Sequence, residues 1–125
     1  SDLTQIAMPK EIIWALGMND ADTENTINTS WKSAYDEIST WCDKNNVELI
    51  LCTIPNTPKV RNIEKNIFIR DSGRRYVDFA KSVNVEKVGA SWYDGMLSSD
   101  KVHPLALGAK ALANRFLIDV PEVIN

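Results

Sequence analysis

A chain of 125 residues, 44% hydrophobic and 25% charged, has the size and composition of one globular domain or part of one, and these figures exclude disorder, collagen-like repeats and coiled coil. Lys plus Arg is 14 against 17 Asp plus Glu, a net charge of -3, the wrong sign for a protein that neutralises many phosphates, so no nucleic-acid partner is expected. No apolar run approaches the roughly 20 residues needed to cross a bilayer, so no membrane span is expected either.

The run Glu11-Ile12-Ile13-Trp14-Ala15-Leu16, bounded by Pro9 and Gly17, is too short for a helix and reads as a strand buried on both faces. Ile27, Trp31, Ala34, Ile38, Trp41 and Cys42 then recur at helical spacing and predict an amphipathic helix over 26–45. Residues 47–54, Val-Glu-Leu-Ile-Leu-Cys-Thr-Ile, form a second apolar run stopped by Pro55 and Pro58. Between 63 and 83, Ile69, Tyr76, Ala80 and Val83 mark one helical face, with Gly73 as a weak point in its middle. Residues 85–88 offer a short third strand. Pro104 suits the first turn of a last helix whose inner face is Leu105, Ala109, Leu112 and Phe116 and which ends before Pro121.

Strands alternating with helices in this order imply right-handed crossovers and a parallel sheet, so the class is α/β. The opening strand, apolar on both faces, belongs in the middle of an open sheet, yet only two further strands are available to flank it. This predicts that preceding strands lie outside these 125 residues and that the sheet has an exposed edge through which the chain could self-associate. Cys42 and Cys52 have no metal-ligand or CxxC spacing and read as buried thiols rather than a disulfide. Trp14, Trp31 and Trp41 read as core. Lys59, Arg61, Arg70, Arg74 and Arg75 form a local basic concentration, read as a solvated face.

Ligands of open parallel sheets gather at the carboxyl ends of the strands, and two polar clusters fall there. Gly17-Met18-Asn19-Asp20 follows the opening strand: Gly17 permits a tight turn, and the Asn19 amide could donate to an oxyanion. An ordinary strand-to-helix turn is the competing explanation. Asp100-Lys101-Val102-His103-Pro104 precedes the last helix. His103 is the sole histidine, and Asp100, three positions earlier, is placed to fix its tautomer. An exposed histidine at a helix start is the alternative there.

Taken together, the two clusters resemble the SGNH hydrolase superfamily of GDSL-like lipases and acylhydrolases. Ile12-Ile13-Trp14-Ala15-Leu16-Gly17-Met18-Asn19-Asp20 matches its Gly-x-Asn-Asp block after a hydrophobic strand. Asp100-Lys101-Val102-His103-Pro104, followed by Gly108, matches its Asp-x-x-His-Pro block. The resemblance spans about 9–117 and implies a three-layer, flavodoxin-like α/β sandwich. It implies a serine esterase in which His103 is the general base, Asp100 its partner, and Asn19 and Gly17 form the oxyanion hole. Small carboxylic esters are the implied substrates, carbohydrate O-acetyl groups among them, with no cofactor and no metal.

The family's Gly-Asp-Ser nucleophile segment and its second glycine block precede the Gly-x-Asn-Asp block, and neither occurs among the sixteen residues before Gly17. The chain thus resembles the C-terminal part of such a hydrolase, and by itself it is expected to be inactive. Asp71-Ser72-Gly73 falls within a predicted helix, a poor place for a nucleophile, and Ser98 and Ser99 are near His103 only along the chain. Met18, Trp92 and Tyr93 are candidates for lining a substrate pocket, with Met96 beside them. The alternative class is a non-catalytic α/β module for binding or assembly.

Overall fold

The computed structural model describes residues 8–15, 27, 29–58, 62–84 and 92–124. Within them the chain is α/β: β1 (Glu11–Trp14), α1 (Thr29–Lys44), β2 (Glu48–Cys52), α2 (Ile63–Asp71), β3 (Tyr76–Val77), α3 (Phe79–Val83), α4 (Ala106–Asp119) and a terminal 3-10 turn (Pro121–Ile124). The three strands form a parallel sheet in the order β1-β2-β3. Glu11 is in register with Glu48, and Leu51 with Tyr76.

β2 is the buried middle strand, and its alternation divides the core. Leu49 and Leu51 point into a cluster with Trp14, Trp31, Tyr35, Cys42 and Ile69, contributed by β1, α1 and α2. Ile50 and Cys52 point the other way, to Val77 and Val120, with Phe79 and Phe116 packed alongside. Each large apolar side chain buried this way contributes about 1.5–3 kcal/mol. The first cluster is aromatic at its centre: Trp14 and Trp31 lie 5.2 Å apart, and Phe68 meets Tyr35 edge-on at 4.9 Å. Tyr35, four residues after Trp31, completes the inner stripe of α1. Trp41 is 39% exposed instead and lines an open groove of about 490 Å³ with Ile12, Ala34, Glu37 and Ile38.

The opening strand is not buried on both faces by the described residues. β1 pairs with β2 alone among them, and Ile13, on the face opposite Trp14, is 37% exposed. The last helix likewise buries only Gly108, and its expected inner residue Leu105 is exposed. Pro104 lies ahead of that helix, in a bridge with Leu97, rather than in its first turn.

The single helix expected over 63–83 is three elements. α2 stops at Asp71, where the Ser72 hydroxyl donates to the Ile69 carbonyl at 2.7 Å and Gly73 turns the chain with a φ of +79°. The reversal delivers Arg75, Tyr76 and Val77 alongside β2: Leu51 N–H donates to the Arg75 carbonyl and Thr53 N–H to that of Val77, both at 3.0 Å. The third strand is therefore 76–77, and the expected strand at 85–88 lies outside the described residues. Asp78 then caps α3 by accepting from Lys81 N–H. Ser72 thus sits at a helix end, its hydroxyl engaged with backbone.

Within the basic concentration, the described arginines are partly exposed and paired inside the chain. Arg70 pairs with Asp78 at 2.8 Å, Arg74 binds Tyr35, Ser39 and Asp43, and Arg75 binds Glu122 and the Asp119 carbonyl. Lys59 and Arg61 lie outside the described residues. Cys42 and Cys52 are free, buried thiols, as expected.

Candidate active site

Past the carboxyl end of β2, Thr53, Ile54, Asn56 and Thr57 are buried although they belong to no strand. Side chains stand in for the missing ladder. Asn66 accepts from Ile54 N–H at 2.7 Å and donates to its carbonyl at 2.8 Å, and Asn84 does the same for Asn56 at 3.0 and 3.1 Å. The Asn56 side chain in turn accepts from Asn62 N–H. Trp92 Nε1 donates to the Asn56 carbonyl at 2.6 Å, which ties the segment before the dyad to the end of the middle strand.

The Asp100–His103 segment is a closed loop. Leu97 and Pro104 bridge in antiparallel fashion, Ser98 N–H donates to the His103 carbonyl at 2.9 Å, and Leu105 N–H donates to the Met96 carbonyl at 2.7 Å. The turn inside is tight enough to hold Lys101 at a φ of +66°. Asp100 Oδ1 accepts from Val102 N–H at 2.8 Å, from His103 N–H at 2.9 Å and from the Ser98 hydroxyl. Its other oxygen, Oδ2, lies 2.6 Å from His103 Nδ1. A carboxylate only accepts, so Nδ1 carries the proton, and in the neutral ring Nε2 keeps its lone pair.

Both partners face solvent, with side chains 49% exposed at Asp100 and 78% at His103. The donation from Ser98, then those from His103 and Val102, hold the Asp100 carboxyl well below the usual carboxylate range. It is thus ionised wherever the imidazole is neutral, as an orienting group requires.

A cavity of about 250 Å³ adjoins this loop, lined by Pro58, Trp92, Tyr93, Asp94, Gly95, Leu97 and Lys101. Trp92 and Tyr93 line this cavity, which reaches Lys101 on the dyad's own turn but has neither Asp100 nor His103 in its lining. Pro58, six residues past the end of β2, lines the same cavity, which brings the chain leaving the carboxyl end of the middle strand beside the loop. Gly17, Met18 and Asn19 lie outside the described residues.

Neither nearby serine is placed as a nucleophile. The Ser98 hydroxyl is on the carboxylate side of the dyad, bonded to Asp100 rather than aimed at Nε2, and Ser99 makes no bond to the ring among the described residues. The roles of Ser98, Lys101 and Pro58 were not visible beforehand, because each depends on how the loop closes. Among the described residues no cluster of His, Cys, Asp and Glu could hold a metal ion, and no helix is long and apolar enough to cross a membrane. No family model matches the chain, nor does any curated protein or solved structure.

Proposed function

We propose that this chain is the base-bearing part of an SGNH-type serine esterase, acting on small carboxylic esters such as carbohydrate O-acetyl groups, whose nucleophile serine lies outside these 125 residues. The single observation that carries the reading is the 2.6 Å contact between His103 Nδ1 and Asp100 Oδ2, which leaves Nε2 open as a proton acceptor. In this reading Nε2 takes the serine proton as the hydroxyl attacks the ester carbonyl. Asp100 stabilises the resulting imidazolium without itself being protonated. Asn19 and Gly17 stabilise the tetrahedral oxyanion, and the imidazolium then protonates the departing alcohol. A water activated by the same base releases the acyl group. Met18, Trp92 and Tyr93 surround the substrate, and no metal or other cofactor takes part.

The same reading makes the fold the C-terminal part of a flavodoxin-like three-layer sandwich and one single domain over 1–125. It accounts for the exposure of His103, over which the loop bearing the serine would pack, and for the pairing of β1, beside which a preceding strand would lie, with β2 alone among the described residues. In isolation, the β1 edge is a surface for self-association, which sedimentation at rising concentration would detect.

The test uses a fluorophosphonate probe and p-nitrophenyl acetate. The 125-residue chain is expected to give neither serine labelling nor turnover. The same chain extended upstream in its reading frame is expected to give both, with turnover lost in His103→Ala. Stoichiometric labelling of a serine in the short chain, with His103-dependent turnover, would refute the absent nucleophile. Hydrolysis by the extended protein that is unchanged in His103→Ala would instead favour a non-catalytic α/β module whose Asp100 and His103 serve only the loop.

A further inference from the structure

We propose that Ser98 is a positioning residue: its hydroxyl, donated to Oδ1 of Asp100, fixes the carboxylate plane so that Oδ2 is presented to Nδ1 of His103. The inference rests on the reading of Asp100 and His103 as orienter and base, and it adds to the pair a third member that neither motif contains.

The hydroxyl comes from a fixed point. Ser98 N–H is bonded to the His103 carbonyl at 2.9 Å, and the Ser98 carbonyl accepts from Lys101 N–H at 3.1 Å. Ser98 therefore stands on the limb of the loop opposite His103, with Asp100 between them. The other two donors to Oδ1, Val102 and His103 N–H, belong to the turn that follows Asp100, on the other limb from Ser98. Donors converging from both limbs restrict rotation of the carboxylate in a way that donors from one limb do not.

Exposure makes this restriction necessary. The Asp100 side chain is 49% exposed, so packing does not hold it, and water competes for each of its lone pairs. Hydrogen bonds alone must select which oxygen faces the ring. Among the donors to Asp100, Ser98 lowers its proton affinity most. A serine kept in this position is also unavailable for attack, which agrees with a nucleophile supplied from elsewhere.

His103 is the only histidine, so one imidazole spin system reports on the dyad in a ¹⁵N-labelled sample of the whole chain. At a pH of about 8, where an ordinary imidazole is neutral, the wild type is expected to show the Nδ1–H tautomer. Ser98→Ala is expected to raise the ratio of Nε2–H to Nδ1–H about tenfold, the upper end of what one ordinary hydrogen bond contributes net. Ser98→Thr, which retains the hydroxyl, is expected to keep the wild-type ratio. An unchanged ratio in Ser98→Ala, with Nδ1–H dominant in the wild type, overturns the role of Ser98 and leaves the dyad intact. A wild type lacking the Nδ1–H tautomer overturns the dyad itself, and with it the esterase reading.

Discussion

The side-chain amide of Asn66 closes on both polar groups of Ile54, accepting from its N–H at 2.7 Å and donating to its carbonyl at 2.8 Å. An amide has the donor and acceptor arrangement of a peptide group, so α2 supplies in one residue what a neighbouring strand would supply past the end of β3. Asn66→Leu leaves both groups of Ile54 buried and unbonded, at about 1–3 kcal/mol each. Urea unfolding should show a loss of about 2–4 kcal/mol, against less than about 0.5 kcal/mol for a substitution at an exposed site such as Ser99.

Arg70 and Asp78 differ from the surface pairs in what surrounds them. Burial alone would raise the Asp78 carboxyl. Hydrogen bonds from Arg70 and Thr53, with the Arg70 charge and Lys81 N–H, outweigh it and hold the group below its ordinary value. The native state then releases the proton more readily than the unfolded chain. This stabilisation is complete above the unfolded pKa of about 3.9 and is lost as pH falls through the folded value. Between pH 5 and 3 the urea midpoint of the wild type should therefore fall more steeply than that of Asp78→Asn. At neutral pH, Arg70→Met should cost about 2 kcal/mol, since it removes the counter-charge of a mostly buried carboxylate and leaves only the Thr53 and Lys81 donors. Lys32→Met, which breaks the exposed pair with Asp36, should cost less than about 0.5 kcal/mol.

Gly108 connects the last helix to the loop of the dyad. A Cβ there would lie 2.3 Å from the carbonyl oxygen of Met96, the same oxygen that accepts from Leu105 N–H. Gly108→Ala must push apart backbone segments and not merely a flexible side chain. Thermal or urea unfolding should show a loss of about 2–4 kcal/mol. The His103 ring resonances should shift as well, because the Met96–Leu105 bond flanks the loop that carries the ring.

The two thiols should be inert in the folded chain. Burial pushes the Cys52 thiol up to about 12 and raises that of Cys42, and both side chains are almost fully enclosed. At a pH of about 8, Ellman's reagent should titrate neither thiol in native protein and both in denaturant. Rapid native labelling of either one would contradict the packing at both ends of the core.

Local pattern in the sequence determined the elements whose signal lies within one segment. Short continuous apolar runs bounded by proline or glycine set β1 and β2, the 3.6-residue spacing set α1, and Asp100 and His103 three positions apart could meet within a single turn. The esterase reading itself began from residue pattern. Tertiary structure alone decided what depends on contacts distant in the chain. Tyr76 and Val77 have an apolar spacing that serves a helix as well as a strand, and pairing with Leu51 and Cys52 selected the strand once Gly73 had reversed the chain. Ser98 reads as an ordinary turn serine until the Leu97–Pro104 bridge sets its hydroxyl against Asp100. Arginines that read as a solvated face are partly exposed but tied to carboxylates, among them Asp43 and Glu122, that arrive from other helices and turns. Periodicity records which way a residue faces along its own element; it holds no record of what the rest of the chain brings to meet it.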